Sequence, residues 1–451
     1  MDVVSIGSGQ GFWGDDIDAP RRLLLSSDLD YMVMDFLAEI TMSILQKQKA
    51  ADPSRGYATD LLSILRDALP IAVAKGTKII TNAGGVNPVE CARKVVALAA
   101  ELGLDKVKVG VVYGDDLMPE LDAVVAREGL DNSDTGQSFG DIRDSVVAAN
   151  VYLGSEPIRD VLAQGATIVI CGRSTDTALV LGPLLHEFGW ELDDWDHLAA
   201  GIVAGHLIEC SGQITGGNHQ AAWQTVPGLN EVGYPIVEVE RSGDMTLTKP
   251  LGSGGSVTVA TVTEQLLYEI GDPAAVLTPD VSVDWRSFTI DQSGPDRVRL
   301  VGVKGNPAPE TLKVSIAYED GYSTVLMWPY AWPDVEAKAK AAISKIEHTV
   351  RRLGLKLDAT RADVVGLGAI HGKRVGAPLS EPLEVIVRYA ARSTSQEDIQ
   401  RLAIEVAPML FGPPGMAGFV AGGRGRVSQI VGYWPALIHR DVVKVSAEIV
   451  N

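Results

Sequence analysis

The sequence predicts an α/β protein: a doubly wound, mostly parallel sheet in the N-terminal half, followed by an α+β domain with a mixed sheet. Three observations predict it. Over residues 1–200, short continuous apolar runs alternate with helical patterns, as in parallel strands covered on both faces. After about residue 200 the runs give way to alternating apolar and polar residues divided by turn signals, as in strands with one face in water. The chain has 451 residues, more than the roughly 250–300 that one core supports. Two domains are therefore expected, 1–200 and 201–451.

The strands expected in the first domain are Val3–Gly7, Tyr31–Phe36, Lys78–Asn82, Val107–Tyr113, Val146–Leu153 and Ala166–Cys171. Helical patterns lie between them. Pro88–Leu102 is the clearest, with Asn87 as N-cap, Pro88 at the first helical position and Gly103 just past the end. Ser155 caps a second, Glu156–Gln164, which Gly165 stops. In the second domain Ile236–Arg241, Phe288–Ile290, Arg297–Val303, Leu312–Tyr318 and Leu383–Tyr389 read as strands. Turns are expected at Ser293-Gly294-Pro295-Asp296 and Glu319-Asp320-Gly321, and helices at Val335–Leu353 and Ser395–Pro408. No internal repeat or low-complexity tract is present.

Hydrophobic residues make up 46% and charged residues 22%, with a formal net charge of −19. That field repels nucleic acid and anionic lipid, so neither is an expected partner. Cys91, Cys171 and Cys210 are odd in number and far apart, which speaks against a disulfide framework or a thiolate zinc site. They read as buried thiols in a reducing compartment. The N-terminus lacks a basic segment followed by an apolar one, and no run of ~18 apolar residues occurs. A cytoplasmic protein is the expectation.

Ligands of parallel α/β sheets bind where strands end at their carboxyl side. Four such ends are rich in glycine and polar residues: Gly7-Ser8-Gly9-Gln10-Gly11, Asn82-Ala83-Gly84-Gly85-Val86-Asn87, Tyr113-Gly114-Asp115-Asp116 and Cys171-Gly172-Arg173-Ser174-Thr175-Asp176. They predict one shared crevice. Substrate-binding candidates on them are Gly9, Asp15, Asn82, Gly84, Asn87, Arg173 and Ser174. Arg173 suits a bidentate pair with a carboxylate, while Asp176 can orient it or transfer protons. The plain alternative is an internal Arg173–Asp176 ion pair. The opening glycines, with Asp35 on the next strand, loosely mimic a dinucleotide fingerprint. Asp15, Asp16 and Asp18 would however face the pyrophosphate.

His206 and Glu209 lie three apart in an expected helix and share a face. With Asp176, and with His219 after the Thr215–Asn218 turn, they are the catalytic candidates for acid/base work. A divalent metal on two histidines and a carboxylate is left open, although no cofactor is required. Satisfied structural polar groups are the plain alternative. Lys249 with Ser253, Gly254 and Gly255, before a helical stretch, form a candidate anion cradle without Walker spacing. Arg424 and Arg426 lie in a long Gly-rich loop running from Phe411, which reads as a lid or a subunit contact.

Several phrases resemble a known family. They are Ile6-Gly7-Ser8-Gly9-Gln10-Gly11-Phe12, Thr81-Asn82-Ala83-Gly84-Gly85-Val86-Asn87-Pro88, Cys171-Gly172-Arg173-Ser174-Thr175-Asp176 and His206-Leu207-Ile208-Glu209-Cys210 with Thr215-Gly216-Gly217-Asn218. Lys249-Pro250-Leu251-Gly252-Ser253-Gly254-Gly255 and the long Val259–Pro273 stretch complete the set. Together they resemble the acyclic terpene utilisation AtuA family over nearly the whole chain. The resemblance implies catabolism of acyclic terpenes, organic acids or their CoA esters. It also implies a small ferredoxin-fold AtuA-like companion, either fused or separate. This chain shows no such added domain, which leaves room for a separate companion chain, and a homo-oligomer is expected.

The reading that follows is an enzyme acting on a small organic acid or its CoA thioester, a hydro-lyase (hydratase or dehydratase) or an isomerase. Arg173 and the Ser253–Gly255 backbone would hold the anion, and His206, Glu209 and Asp176 would move protons. The alternatives are an NAD(P)-dependent oxidoreductase using the opening glycines, and a non-catalytic large subunit that positions the small companion.

Overall fold

The computed structural model describes residues 2–220, 222–370, 372, 381–410, 412–418, 420 and 425–450. Two compact units emerge, Met1–Ala317 with Tyr433–Asn451, and Tyr318–Gly432. Residues 201–317 thus belong to the same unit as 1–200.

The first unit opens with β1 (Val3–Gln10), α1 (Ala19–Ser26), β2 (Tyr31–Met34), α2 (Glu39–Ala51), α3 (Asp60–Lys75), β3 (Lys78–Thr81), α4 (Pro88–Glu101) and β4 (Val109–Tyr113). Then come α5 (Leu121–Glu128), β5 (Val146–Val151), α6 (Glu156–Ala163), β6 (Ile168–Cys171), α7 (Ala178–Phe188) and α8 (Trp195–Glu209). Next are β7 (Ile236–Glu240), β8 (Met245–Thr248), α9 (Val259–Leu267), β9 (Val276–Leu277), β10 (Ser282–Asp284), β11 (Thr289–Gly294), β12 (Arg297–Val301) and β13 (Lys304–Asn306). The rest of the chain forms β14 (Thr311–Ala331), α10 (Val335–Leu353), β15 (Ala359–Val365), β16 (Glu384–Ser393), α11 (Gln396–Glu405), β17 (Ser428–His439) and β18 (Ser446–Val450).

The main sheet has ten strands in the order β11-β12-β8-β7-β1-β2-β3-β6-β4-β18. Its centre, β1-β2-β3-β6-β4, is parallel. Antiparallel strands flank it on both sides. The architecture is therefore mixed α/β, and the strand order differs from a doubly wound parallel sheet. β2 and β6 are buried at every position, which explains their unbroken apolar runs. Helices pack around it: α3 against α1 and α4, and α7 against α6 and α8.

Several local expectations change. β1 runs on through Gln10, so Gly7 and Gly9 lie inside the strand. A Cβ at Gly9 would press on Met32 at 3.0 Å and Met34 at 3.1 Å, so these glycines serve close packing. β5 stays out of the main sheet and pairs with β14. Asn87 and Ser155 begin their helices without side-chain caps. Asn87 Nδ2 instead donates to Pro53 O and Arg55 O, and the Ser155 hydroxyl to Asp280. The Glu319–Gly321 turn is absorbed within β14, with Gly321 at φ +82°.

In the second unit, β14, β15 and β16 pair antiparallel. β16 alternates buried and less buried residues along its length. Its inward face meets α10 and α11 in a core of Trp328, Tyr330, Ile346, Val387, Tyr389 and Leu402. Among the described residues no helix is long and apolar enough to cross a membrane.

Candidate functional site

Because β2, β3 and β6 are neighbours in parallel register, the residues that follow them lie side by side. Asp35 follows β2, Asn82 follows β3, and Arg173 and Asp176 follow β6. Asn82 Nδ2 donates to Asp35 Oδ1 at 2.5 Å and approaches Asp176 Oδ1 at 3.5 Å. Its own oxygen accepts from the Phe36 amide, so the amide orientation is fixed. Arg173 Nη1 donates to Asp176 Oδ1 at 2.9 Å and to Leu37 O at 3.2 Å. The predicted Arg173–Asp176 ion pair is therefore present, within a larger cluster.

β5 supplies the next part. Leu153 N donates to Arg173 O, and Thr175 N to Leu153 O. This clamp lays the Tyr152 ring 4.3 Å from the guanidinium centre. Tyr152 in turn donates to Glu39 Oε1 at 2.6 Å. Arg173 is 3% exposed, and its Nε is buried without a hydrogen-bond partner.

Burial, and then the negative charge of Asp176, push the Asp35 carboxyl well above its ordinary pKa. Asp176 is also raised by burial, although Arg173 opposes this. Arg173 bonds directly to Asp176 and not to Asp35, which favours the anion on Asp176 over Asp35. Burial disfavours a charged Arg173, but Asp176, Tyr152 and Asp35 outweigh it and keep the side chain cationic. Burial likewise opposes ionisation of Glu39, yet the Tyr152 hydrogen bond and the Arg173 and Lys313 charges leave its pKa lowered. Burial lifts Asp115, under Gly172, to about 6.

His206 and Glu209 share a face near the end of α8, as their spacing predicts. His206 Nε2 lies 2.8 Å from Gln265 O. A carbonyl only accepts, so Nε2 carries a proton. Nδ1 then faces Glu209 Oε1 at 3.1 Å, hydrogen-bond distance when either group carries a proton there. Burial opposes a charged His206 but Glu209 outweighs it, leaving the imidazole pKa raised. Burial raises Glu209 too, with Asp176 and Glu269 among the charges acting on it. The His206 ring is set edge-on to Trp285.

The remaining candidates stand apart from this cluster in their bonding. His219 Nδ1 pairs with Glu264 at 2.9 Å. Asp15 accepts from Gly11 N, the Ser211 hydroxyl and the Tyr234 hydroxyl. Lys249 pairs with Asp296 at 3.2 Å and donates to Ser253 O. The amides of Ser253, Gly254, Gly255 and Ser256 donate to Pro250, Glu231, Pro227 and Thr215 carbonyls, so the expected cradle is occupied by the fold itself. Gly84 lets the loop pass close to Cys171 O, where a Cβ would come within 2.5 Å. Ser174 is fully buried. Arg424 lies outside the described residues. Among those residues no group of three or more His, Cys, Asp or Glu is arranged to hold a metal ion.

The family model described as acyclic terpene utilisation family protein AtuA matches residues 4–449. The chain belongs to the AtuA family. No curated protein and no solved structure matches it. The family implies a role in acyclic terpene utilisation. Within this AtuA chain, the sequence singled out Asn82, Arg173, Asp176, His206 and Glu209 as candidates. It missed Tyr152, Glu39 and Gln265, and saw Asp35 only as a ribose ligand. A strand-end acid after the fully buried Tyr31–Met34 was the available signal for Asp35. Tyr152 carried none, since nothing local tells which sheet β5 joins.

Proposed function

We propose that this AtuA protein is an enzyme of the hydro-lyase or isomerase class, acting on a small organic acid or its CoA thioester by proton transfer beside a carbonyl. One observation carries the reading: a buried arginine is bonded to one carboxylate, and a single asparagine amide joins that carboxylate to a second carboxyl with a raised pKa. Removing a proton next to a carbonyl puts negative charge on its oxygen, and a fixed cation in a dry site offsets that charge. Asp176 is the base. Asp35, or the His206–Glu209 pair, is the acid that returns a proton to a departing hydroxyl or to a second carbon.

The test is solvent exchange. The protein is incubated in heavy water with saturated, unsaturated and hydroxy acids and their CoA thioesters, and proton NMR follows loss of the C–H signals. The wild type exchanges at least one of them. Asp176→Asn and His206→Ala slow exchange by about a hundredfold or more. A folded wild type that exchanges none of the panel, or variants that keep the full rate, would contradict the proposal.

A further inference from the structure

We infer that the cleft between Tyr152 and Tyr433 binds an amphipathic monocarboxylate, with the carboxylate on Lys313 and the apolar body against Leu277, Pro279 and Leu437. The inference rests on the proposed proton-transfer site and specifies what that site receives.

The cleft has a volume of about 540 Å³, within the roughly 300–1,000 Å³ typical of small-molecule sites. Tyr152 and Thr175 line it. It therefore reaches the ring that covers Arg173 and the segment between Arg173 and Asp176. Lys313 enters from β14, with Nζ 4.8 Å from the Tyr152 ring and 5.6 Å from the Tyr433 ring. Its nearest carboxylate, on Glu39, is 3.6 Å away, beyond a direct hydrogen bond. Half of the Lys313 side chain is open, so its ammonium can take a ligand oxygen. Partial burial lowers its pKa, but Tyr152, Tyr433 and Glu39 outweigh this and leave it raised.

Beside this one cation the wall includes Leu277, Pro279, Leu312 and Leu437, with Ser133, Thr278 and Thr311 among its polar members. Leu277 is 65% and Leu437 50% exposed, an arrangement that leaves hydrocarbon in water unless something covers it. Asp134 also lines the cleft, and its charge disfavours a dianion such as a phosphate. One cation beside exposed leucines selects a single carboxylate carrying a hydrocarbon body.

The test is calorimetric titration with butanoate, octanoate and octanol. Octanoate should bind at least about tenfold more tightly than butanoate, because added methylenes are buried, and octanol should bind more weakly than octanoate. Lys313→Glu should weaken octanoate about tenfold or more, with Lys313→Gln intermediate. Leu277→Asp should flatten the dependence on chain length. A wild type that binds octanoate in this pattern but exchanges none of the acids would support this inference and contradict only the proposed chemistry, which separates the two. Octanoate binding that is absent, unchanged in Lys313→Glu, or no tighter than butanoate would overturn the inference.

Discussion

The Asp176 carboxylate accepts a hydrogen bond from the Arg173 guanidinium at 2.9 Å, and the arginine side of that pair is almost wholly out of water. Removing the cation leaves the partly buried Asp176 carboxylate, beside buried Asp35, without its counter-charge. Arg173→Met should lose about 3–5 kcal/mol of stability at pH 7. The loss should be smaller at pH 5 than at pH 7, because burial raises the Asp176 pKa and protonation removes the charge that Arg173 balances. Urea unfolding at the two pH values measures both. Arg173→Lys should recover only part, lacking the planar stack on Tyr152.

Tyr152 acts through its ring and its hydroxyl separately. Tyr152→Phe keeps the stack on Arg173 and removes the bond to Glu39, so it should cost about 1 kcal/mol. Tyr152→Leu also removes the stack and should cost about 2 kcal/mol more. Thermal unfolding of both variants checks the order.

Asp115 should make the protein less stable as pH rises. Its pKa is raised from 3.8 to about 6 in the folded chain by burial. The folded state then binds the proton more tightly than the unfolded state. That stabilisation is complete below about pH 4 and is lost as pH climbs through about 6, a change of about 3 kcal/mol. Unfolding measured across this window should show a shallower slope for Asp115→Asn than for the wild type.

The cysteines should be inert. Burial pushes Cys171 up to about 12 and raises Cys91 and Cys210 as well. A thiol reagent at pH 8 should label none of the three quickly in the native protein, and all three after denaturation. Rapid labelling of Cys171 in the native state would contradict this.

Pairs close in sequence were legible in advance. Arg173 with Asp176 and His206 with Glu209 are each three residues apart on a turn or helix, so local geometry alone brings them together. The central strands were legible because each is buried on both faces and needs an unbroken apolar run. β5 has the same run, yet it is buried against β14, and periodicity does not record which sheet does the burying. Asn87 and Ser155 have the chemistry of caps, but remote segments claimed their side chains. The glycines around Gly254 looked like an anion cradle because sequence shows free amides and not the carbonyls that the fold delivers to them. Asp35, Tyr152 and Lys313 meet the site from distant segments, and only the folded chain juxtaposes them.

The most direct measurement is infrared difference spectroscopy of the carboxyl groups at neutral pH, comparing the wild type with Asp35→Asn and Asp176→Asn. The account predicts a protonated-carboxyl C=O band in the wild type that disappears in Asp35→Asn and shifts in Asp176→Asn, because the two side chains share the Asn82 amide. A wild-type spectrum whose protonated-carboxyl region is unchanged by both substitutions would contradict it.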